Sequence, residues 1–482
     1  MIADTYSVER SRATAPLFFR APHPPKETPR DYQQAGVEFA LARNHCLIGD
    51  EPGVGKTAQG ILLSNAMGAG RTLVVCPASL RLNWEREIWK WSTVPNVRVY
   101  VVNKAKDGVS NTADYVVISY DLLRNPALLT GILALHWDHV ILDECHGIKS
   151  SDAKRTKVIC AEDLLPRVTG RFTLLSGTIL PNQPSECYNA VRLLDHSAID
   201  HMSAEAFRDY YYGEGGGMIR GPVWDDKLQA NISKVHWSDK VRNVPRRLDE
   251  LQHRLRSKVM IRRLKSQVLP QLPEKQFHLT PLSITAEMRA ALKHPGWGAA
   301  TRLYDLDPHG FEASLPIDGE ISTARRLLGE AKAGPTCDYV EALMDSGVKK
   351  LVVSAWHSSV LAVARGRLEK FGLVYMDGAT TGLARQRAAD MFQTDERIKI
   401  ILGQTSVLGE GWTLTAAQDV VLVEPDWVPG KVSQMVDRIH RLGQTGTYTL
   451  AHLPVVPGSL DERIVATAIE KDRNIHLALD AQ

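Results

Sequence analysis

Short apolar segments alternate with helical segments in two separate parts of this chain, and this alternation limits the fold more than any other feature. In the first part, strand-like runs such as RTLVVCP, DYVVISY and HVILDE are separated by helical stretches such as KTAQGILLSNAM. The pattern lapses after residue 200 and resumes with KLVVSAWHS, IKIILGQT and DVVLVEP. Buried strands that alternate with helices form parallel sheets covered on both faces. The sequence therefore predicts an α/β fold of two lobes with parallel sheets and helical insertions between them.

The same pattern predicts how the chain is divided. A proline-rich arm over residues 1–27 precedes a first lobe at residues 28–200. Helical insertions and an inter-lobe linker follow over residues 201–335, where the stretch from about 200 to 258 has no clean strand pattern. The second lobe covers residues 336–482.

The composition is that of an ordinary soluble globular protein, with 44% apolar and 23% charged residues. A net charge of +3 neither requires nor excludes a nucleic-acid partner. No apolar run has the length of a membrane span, and the N-terminus lacks the apolar segment of a secretory signal, so no membrane partner is expected. The six cysteines include no C-x-x-C, which argues against a structural zinc site and favours buried, reduced thiols.

The stretch GDEPGVGKT, residues 49–57, follows a predicted strand and opens a predicted helix. Gly53 and Gly55 allow backbone N–H groups to turn inward around phosphates, and the helix N-terminus adds further donors. In this pattern Lys56 reaches the β- and γ-phosphates of a nucleotide, and the Thr57 hydroxyl binds Mg²⁺. The alternative interpretation is a glycine-rich turn that binds no ligand.

A pair of carboxylates, Asp143 and Glu144, ends the apolar run VILDE. They stand at the carboxyl end of a predicted buried strand, the edge of a parallel sheet where ligands bind. Asp143 can hold Mg²⁺ and Glu144 can deprotonate an attacking water. A solvated loop is the alternative interpretation. Upstream, the Gln33 amide can contact both edges of adenine, although glutamine is also common on helix surfaces.

The motifs of the first lobe occur in the order YQ, DEPGVGKT, VVCPASLRLNWEREI, VISYDLL, DECH and LLSGTILPN. This series resembles the first lobe of a superfamily-two helicase, specifically the Swi/Snf-type DNA translocases. Members of that family begin the phosphate loop with Asp-Glu, which accounts for Asp50 where the strict pattern has glycine. The resemblance therefore implies that Asp50 is among the nucleotide-binding residues. IRRLKSQVLPQLPEK (261–275) resembles a family segment between the lobes, so residues 258–285 are expected to associate with the first lobe.

The second lobe extends the resemblance. Residues 409–445 are similar to the family's fifth and sixth motifs, and residues 458–471 to the helix that follows them. DECH, SGTIL and QMVDRIHRLGQ depart from the commoner family patterns without removing a charged group. In all, the resemblance covers about residues 28–475, and the annealing-helicase or fork-remodelling branch is the most similar.

The resemblance implies that ATP binds in a cleft between the lobes and that the second lobe supplies arginines to it. Arg438 and Arg441 are three apart on a predicted helix, so they share one face and can neutralise a transferring phosphate. We expect alanine at either position to reduce DNA-stimulated turnover far more than nucleotide affinity. Gln434 and Gly411 are the other expected nucleotide contacts in this lobe. The alternative is a pair of surface arginines bonded to neighbours such as Asp437.

DNA contacts are expected in loops at the opposite rim. The residues suited to phosphate contacts are Ser79, Arg81 and Asn83 in the first lobe and Thr405 and Ser406 in the second. Each of these residues alone is more often a helix cap. Such contacts follow a backbone and read no sequence. The predicted function is an ATP- and Mg²⁺-dependent DNA translocase that moves on duplex or forked DNA without true strand separation.

A basic run is visible without any resemblance: nine Lys or Arg against two acidic residues, at positions 242, 246, 247, 254, 256, 258, 262, 263 and 265. Contact with the DNA backbone and a solvated helix face are the two interpretations. If four of these residues bind phosphates, neutralising them should reduce the slope of the logarithm of the DNA-binding constant against the logarithm of salt concentration by roughly 0.9 per lost contact.

Three other functions are weighed against the translocase: an RNA or single-strand helicase of the same superfamily, a non-motor phosphate-loop ATPase, and an inactive scaffold. The family-specific motifs argue against an RNA or single-strand helicase. A non-motor ATPase would not need a second lobe that carries arginines. An inactive scaffold is disfavoured because the charged residues of the motifs are all present. The absence of appended chromatin-reading or nuclease segments leads us to expect a monomeric motor in the cytoplasm of a bacterium or phage-infected cell.

Overall fold

The chain is described from a computed structural model. Its described residues are 8–480 apart from 149, 152, 162–163, 178–186, 226–229, 246, 307–318, 410 and 428. Two compact units are present, one of residues 1–213 with 243–271 and the other of residues 214–242 with 272–482. In the part of the chain described, no helix is long and apolar enough to cross a membrane. Strands and helices are numbered along the chain.

Seven parallel strands form the sheet of the first unit. They are β1 (Cys46–Ile48), β2 (Thr72–Cys76), β3 (Val99–Val101), β4 (Tyr115–Ser119), β5 (His139–Asp143), β6 (Phe172–Leu175) and β9 (Met260–Ile261). Their order across the sheet is β3-β4-β2-β5-β6-β1-β9, and every pairing is parallel.

Helices cover both faces of this sheet because side chains alternate between the faces. Along β2, Leu73 and Val75 belong to one hydrophobic cluster, and Val74 and Cys76 to another. The helices of the unit are α1 (Asp31–Leu41), α2 (Lys56–Met67), α3 (Arg81–Trp91), α4 (Pro126–Leu133), α5 (Lys154–Cys160), α6 (Tyr188–Asp195), α7 (Ala204–Tyr211), α8 (Leu248–Lys258) and α9 (Lys265–Val268).

Six parallel strands form the sheet of the second unit. They are β10 (Lys275–Pro281), β11 (Leu351–Ala355), β12 (Leu373–Met376), β13 (Ile400–Gln404), β14 (Asp419–Leu422) and β15 (Thr449–Val455). Their order is β10-β15-β14-β11-β13-β12. Leu351 and Val353 pack on one face, and Val352 packs on the other. The predicted α/β class with two parallel sheets is therefore confirmed.

The helices of the second unit include the expected insertions, three of which precede β11. The full set is α10 (Ala286–Ala291), α11 (Pro295–Leu306), α12 (Gly319–Asp345), α13 (Ser358–Leu368), α14 (Gly382–Thr394), α15 (Thr405–Leu408), α16 (Pro429–Val436) and α17 (Leu460–Asp480).

Two features of the region between residues 201 and 335 differ from the expectation. Strands β7 (Tyr212–Asp225) and β8 (Ala230–Pro245) form a two-stranded sheet where no strand pattern was seen. The glycines of β7 have little strand propensity of their own and hid that strand, whereas β8 contains no glycine. Residues 258–285 are also divided: β9 joins the first sheet, whereas β10 pairs with β15 in the second.

The N-terminal arm is fastened to α1 by one carboxylate. Glu38 accepts the backbone N–H groups of Leu17, Phe18 and Phe19 at 2.9, 2.6 and 3.0 Å, and Arg10 Nη2 lies 2.8 Å from it. Burial raises the pKa of Glu38, but these hydrogen bonds more than offset that effect, so the pKa is lowered. The negative charge is therefore the form that holds the arm.

We expect Glu38→Gln to release the arm, because an amide cannot accept three N–H groups and balance Arg10. Hydrogen exchange at residues 17–19, corrected for its intrinsic pH dependence, should become fast. Because the folded-state pKa is lowered, the wild-type stabilisation is complete above the unfolded pKa of about 4.3 and is lost as the pH falls through the folded value. Glu27→Gln, which alters the more exposed pair with Lys90 at 3.5 Å, is the control. Equal protection in Glu38→Gln and wild type would contradict this role.

Candidate active site

The loop between β1 and α2 is shaped by two glycines. Gly53 and Gly55 have φ values of +86° and +85°, which L side chains rarely adopt, and Gly55 is the N-cap of α2. Lys56 Nζ donates to the backbone oxygens of Asp50 and Glu51 at 2.9 and 3.1 Å. Thr57 follows in the first turn of the helix. The backbone thus has the curvature and donors of a phosphate-binding loop.

Below this loop, Asp50 and Arg263 form an ion pair whose side chains are 0% exposed. Asp50 accepts from Arg263 N at 3.0 Å, from Arg263 Nε at 2.9 Å and from Gln59 Nε2 at 2.9 Å. Burial raises the pKa of the carboxyl, but Arg263 and Gln59 outweigh it, so the pKa of Asp50 stays below its ordinary value. Asp50 was expected to contact the nucleotide; instead its carboxylate is directed into the interior, where it holds the base of the loop.

Arg263 joins the start of the loop to three other parts of the first unit. Besides Asp50, it donates to the backbone oxygens of Ala13 at 3.1 Å and of Tyr32, and to Gln59 Oε1 at 2.9 Å. Gln59 in turn packs against Gly36, where an added Cβ would lie 2.0 Å from its Oε1. The arm, α1 and α2 are therefore fixed around one guanidinium group.

Gln33 lies beneath the loop and is only 2% exposed. Its Nε2 is 3.5 Å from Val54 O and 3.4 Å from Gly55 O, and its Oε1 accepts from Arg30 N at 2.9 Å. Tyr32 Oη also donates to Val54 O, at 2.8 Å. These contacts bring Gln33 to the phosphate loop, where it supports the backbone.

Asp143 ends β5, and its carboxylate is held from two sides. Trp84 Nε1 donates to Oδ2 at 2.8 Å, and the Glu144 backbone N–H donates to Oδ1 at 3.0 Å. Burial, followed by the charge of Glu144, raises the pKa of Asp143 to about 6. Trp84 was not identified from the sequence, although it lies in the motif that follows the PAS loop.

Glu144 has a φ of +50°, a conformation that is uncommon outside glycine. Backbone strain of this kind costs of order 1–3 kcal/mol and concentrates at functional sites. Tyr120 Oη donates to Asp143 O at 2.9 Å, and Gly147 N donates to Glu144 O at 3.0 Å. The turn that displays the Glu144 carboxylate is thus fixed from both sides.

Three neighbouring strands bring these parts to one edge of the sheet. The phosphate loop follows β1, Ser176 and Gly177 follow β6, and Asp143 ends β5, in the spatial order β5-β6-β1. An added Cβ at Gly177 would lie 2.6 Å from Pro52 Cγ, so only glycine allows this approach to the loop. The departure expected in SGTIL falls on residues 178–180, outside the described residues.

The donor types at this edge fit a nucleotide with Mg²⁺. The Asp143 carboxylate and Thr57 hydroxyl are the hard oxygen ligands that Mg²⁺ prefers, and a carboxylate with two accepted hydrogen bonds retains lone pairs for a cation. Among the residues described, no group of three or more His, Cys, Asp or Glu could hold a metal by itself.

In the second unit, the two predicted arginines lie beyond the helix on which they were expected. α16 ends at Val436, and residues 437–439 form a turn. Arg438 Nε donates to Gln434 O at 3.1 Å, and Arg441 Nη1 donates to Trp412 O at 2.9 Å. Gly411, with a φ of +71°, precedes Trp412. Arg438, Arg441, Gln434 and Gly411 are thus parts of one local structure.

The proposed DNA contacts divide into two groups. Arg81, which is partly exposed, donates to Val102 O at 2.6 Å, and buried Thr405 lies 3.3 Å from Ser354 Oγ. Ser79 and Asn83 are partly exposed, although the Ser79 hydroxyl oxygen is buried, and Ser406 is exposed. DNA contact at these loops stays a prediction, and the buried Thr405 side chain supports its loop from inside.

The basic run is engaged within the protein wherever its side chains are described. Lys258 donates to Ser197 O at 3.0 Å, and Arg254 lies 2.6 Å from Asp200. The remaining described members pack on Tyr210 or are buried: Arg247, Arg256, Arg262, Arg263 and Lys265. The side chains of Arg242 and Arg246 lie outside the description. The four buried members, Arg256, Arg262, Arg263 and Lys265, are held inside the protein and do not reach DNA phosphates. For Arg247, Arg254 and Lys258, which keep some exposure, contact with the DNA backbone stays a prediction.

Comparisons with known proteins bear on both units. The family of the SNF2-related domain matches residues 32–305, and the helicase conserved C-terminal domain matches residues 336–443. The human DNA annealing helicase and endonuclease ZRANB3 is 30% identical over 442 residues, covering 89% of this chain and 38% of the relative. The SWI/SNF-related matrix-associated actin-dependent regulator of chromatin subfamily A-like protein 1 of Xenopus tropicalis is 31% identical over 449 residues, covering 91% and 44%.

Among solved structures, the Sulfolobus solfataricus SWI2/SNF2 ATPase core in complex with dsDNA is 20% identical, covers 95% of this chain and 94% of that chain, and has a TM-score of 0.41. The chain spans about two fifths of the length of the two curated relatives named above. The curated relatives come from animals, including mammals, frogs, a worm and a fly, and contradict the expected bacterial or phage source with its cytoplasmic location. That expectation was wrong because it rested on the absence of chromatin-reading or nuclease segments from the sequence.

We expect Asp50→Asn to lower the free energy of unfolding by roughly 3–5 kcal/mol, because it leaves the Arg263 charge buried without a counter-ion. Asp31→Asn is the matched control: Asp31 also pairs with an arginine, Arg20, at 2.8 Å, but these two side chains are 61% and 62% exposed. That change should alter stability by less than about 1 kcal/mol. Urea unfolding of both variants measures the difference. Equal midpoints for Asp50→Asn and wild type would exclude the structural role assigned to this pair.

Proposed function

The chain belongs to the SNF2-related family, and from that membership we propose that it is an ATP-dependent DNA translocase that moves along duplex or forked DNA. The observation that carries this proposal is the meeting of a phosphate loop and the Asp143–Glu144 pair at one edge of a parallel sheet. Ligands bind at this edge in open α/β folds. Two separate sheets in one chain are in keeping with a motor that changes conformation between nucleotide states.

ATP binding is assigned to the loop between β1 and α2. The backbone N–H groups around Gly53 and Gly55, with the N-terminus of α2, bind phosphate oxygens, and Lys56 neutralises the β- and γ-phosphates. Lys56 is already held over the loop by the Asp50 and Glu51 carbonyls. Its ammonium group therefore has only a short distance to move. Gln33 acts by supporting this loop, and its expected contact with adenine remains a prediction.

The roles of the two carboxylates follow from how each is held. Asp143, fixed by Trp84 and the Glu144 amide, would hold Mg²⁺, and a bound Mg²⁺ would supply charge neutralisation to the phosphates. Glu144 accepts a proton from the attacking water. A positive φ displays its carboxylate beyond the strand end, whereas an extended residue would continue the line of the sheet. Loss of this geometry is expected to reduce turnover more than binding.

Arg438 and Arg441 are proposed to neutralise the charge that develops on the transferred phosphate. Arginine supplied from outside the phosphate loop is worth roughly 10³ to 10⁵ in rate in well-studied enzymes. Each guanidinium group is oriented by a backbone carbonyl, of Gln434 and Trp412 respectively, which reduces the freedom it loses on binding. The turn that carries both residues is closed by the hydrogen bond from Leu414 N to Arg438 O at 2.9 Å.

Contacts with DNA are proposed for the loops that begin α3 and α15. Asn83 and Ser406 offer amide and hydroxyl donors to phosphates, and the backbone around Ser79 offers N–H groups. Arg81 and Thr405 hold the shape of these loops through hydrogen bonds. Contacts of this kind track a strand without reading its bases. Forked DNA is proposed as a substrate because one relative is named a DNA annealing helicase.

The central experiment is ATP hydrolysis with and without duplex DNA. Duplex DNA should stimulate turnover, and Lys56→Ala should abolish it, because phosphate neutralisation is lost. Glu144→Gln should keep nucleotide affinity and block turnover, since an amide cannot take a proton. ATPase rates beside nucleotide titrations measure both effects, and RNA of equal length tests the alternative of an RNA helicase. A rate that no form of DNA changes would contradict the translocase.

Movement on duplex DNA should displace a third strand from a triplex without separating the duplex. The proposed contacts follow the phosphate backbone of one strand. Such movement does not require the bases of the duplex to unpair. Fluorescence release of the third strand, with ATP and with a non-hydrolysable analogue, measures the movement. Efficient unwinding of a blunt duplex would instead favour a strand-separating helicase.

A further inference from the structure

Two groups of contacts, close together in the sequence, hold the phosphate loop and the arginine turn. The first group lies within the first unit and involves residues 262–265. The second lies within the second unit and involves residues 273–275. We propose that residues 262–275 form a stiff tether that couples the phosphate loop to the arginine turn, defined as residues 433–441. This inference rests on the proposed function and adds positioning residues to it.

The first group of contacts surrounds the phosphate loop. Glu51 N donates to Arg263 O at 3.1 Å, which extends the β1–β9 ladder into the loop, and the Glu51 carboxylate accepts Lys265 N. Arg262 Nη1 donates to Gly49 O at 2.9 Å and to Gly177 O at 3.2 Å. Together with the buried Asp50–Arg263 pair, these contacts join residues 262–265 to the phosphate loop. If residues 262–265 move, the phosphate loop moves with them.

The second group of contacts holds the arginine turn in the same way. Lys275 Nζ lies 3.1 Å from Asp437 Oδ1 and 3.2 Å from Ser433 Oγ. His440 Nε2 is 2.7 Å from Pro273 O. Asp437 and His440 directly precede Arg438 and Arg441 in the sequence. Residues 273–275 therefore fix the two positions next to the proposed catalytic arginines.

The chain between the two groups is short and restricted. α9 covers Lys265–Val268, and Val268 and Leu269 are buried at 9% and 1% exposure. Residues 270–273 read Pro-Gln-Leu-Pro. Proline fixes φ and restricts the residue before it, so the two prolines limit the conformations open to this segment. A displacement at one group of contacts is thus transmitted to the other instead of being absorbed by a flexible linker.

The coupling has a direct role in turnover. DNA that changes the position of the second unit would move the arginine turn, and the tether would carry the same displacement to the phosphate loop. Misplacement of reacting groups by about 1 Å can cost roughly 100-fold in rate. Arg262, Arg263, Lys275 and His440 are positioning residues in this scheme, because they act through the loop and the turn and do not touch the reacting atoms.

Insertion of Gly-Ser-Gly-Ser after Gln271 tests the tether without removing any contact. We expect DNA-stimulated kcat to fall by roughly 10-fold to 100-fold, with nucleotide affinity, DNA-independent turnover and melting temperature unchanged. The same insertion between Ser346 and Gly347, in an exposed turn after α12, is the matched control and should keep wild-type stimulation. Wild-type stimulation in the Gln271 insertion variant would overturn the tether.

Substitutions at Lys275 give an independent test at the far end. Lys275→Met should lower DNA-stimulated kcat without altering the KM for ATP, and Lys275→Arg should restore it by keeping the pair with Asp437. A purely structural role would lower the melting temperature and give no such separation of kcat from KM, and that result would overturn the assignment. A wild-type protein whose turnover ignores DNA would overturn the proposed function itself, so the two failures are distinguishable.

Discussion

The buried pair of Asp50 and Arg263 is the interaction on which the geometry of the active site depends. Both side chains are 0% exposed, and removal of either leaves a charge in a medium that solvates it poorly. The pair joins the first residues of the phosphate loop to a segment more than 200 residues later in the chain. A loop rich in glycine has little conformational preference of its own, so its shape must be set from outside.

Around this pair, the first unit places each chemical group by a different physical means. Phosphate donors come from backbone curvature at two glycines, and the Asp143 carboxylate is oriented by the indole of Trp84. The close packing of Gly177 on Pro52 brings the end of β6 against the loop. Because these supports come from separate strands, the site is assembled only when the whole sheet is formed. The arginine turn of the second unit is organised by its own short-range hydrogen bonds.

The two sheets and the strand-end carboxylates could be predicted from sequence because they depend on local patterns. Short continuous apolar runs between helical segments identify buried strands, and the order of glycines in GVGKT identifies the loop. The direction of a charged side chain is a different matter, since it depends on partners far away in the sequence. From the sequence alone, Arg262 and Arg263 belong to the basic run. In the structure, Arg262 donates to Gly49 O and Arg263 pairs with Asp50. Strand β7 was missed for a different reason: its glycine-rich sequence gives no apolar pattern.

The positive φ of Glu144 has a consequence for how this protein can change over time. A left-handed conformation costs of order 1–3 kcal/mol for an ordinary residue and almost nothing for glycine, with asparagine between them. Selection for thermal robustness alone would therefore favour replacement of the one carboxylate expected to activate water. Laboratory stabilisation of the chain, if carried out without an activity screen, would enrich for inactive sequences at this position first. Foldability and turnover thus set opposite preferences at a single residue.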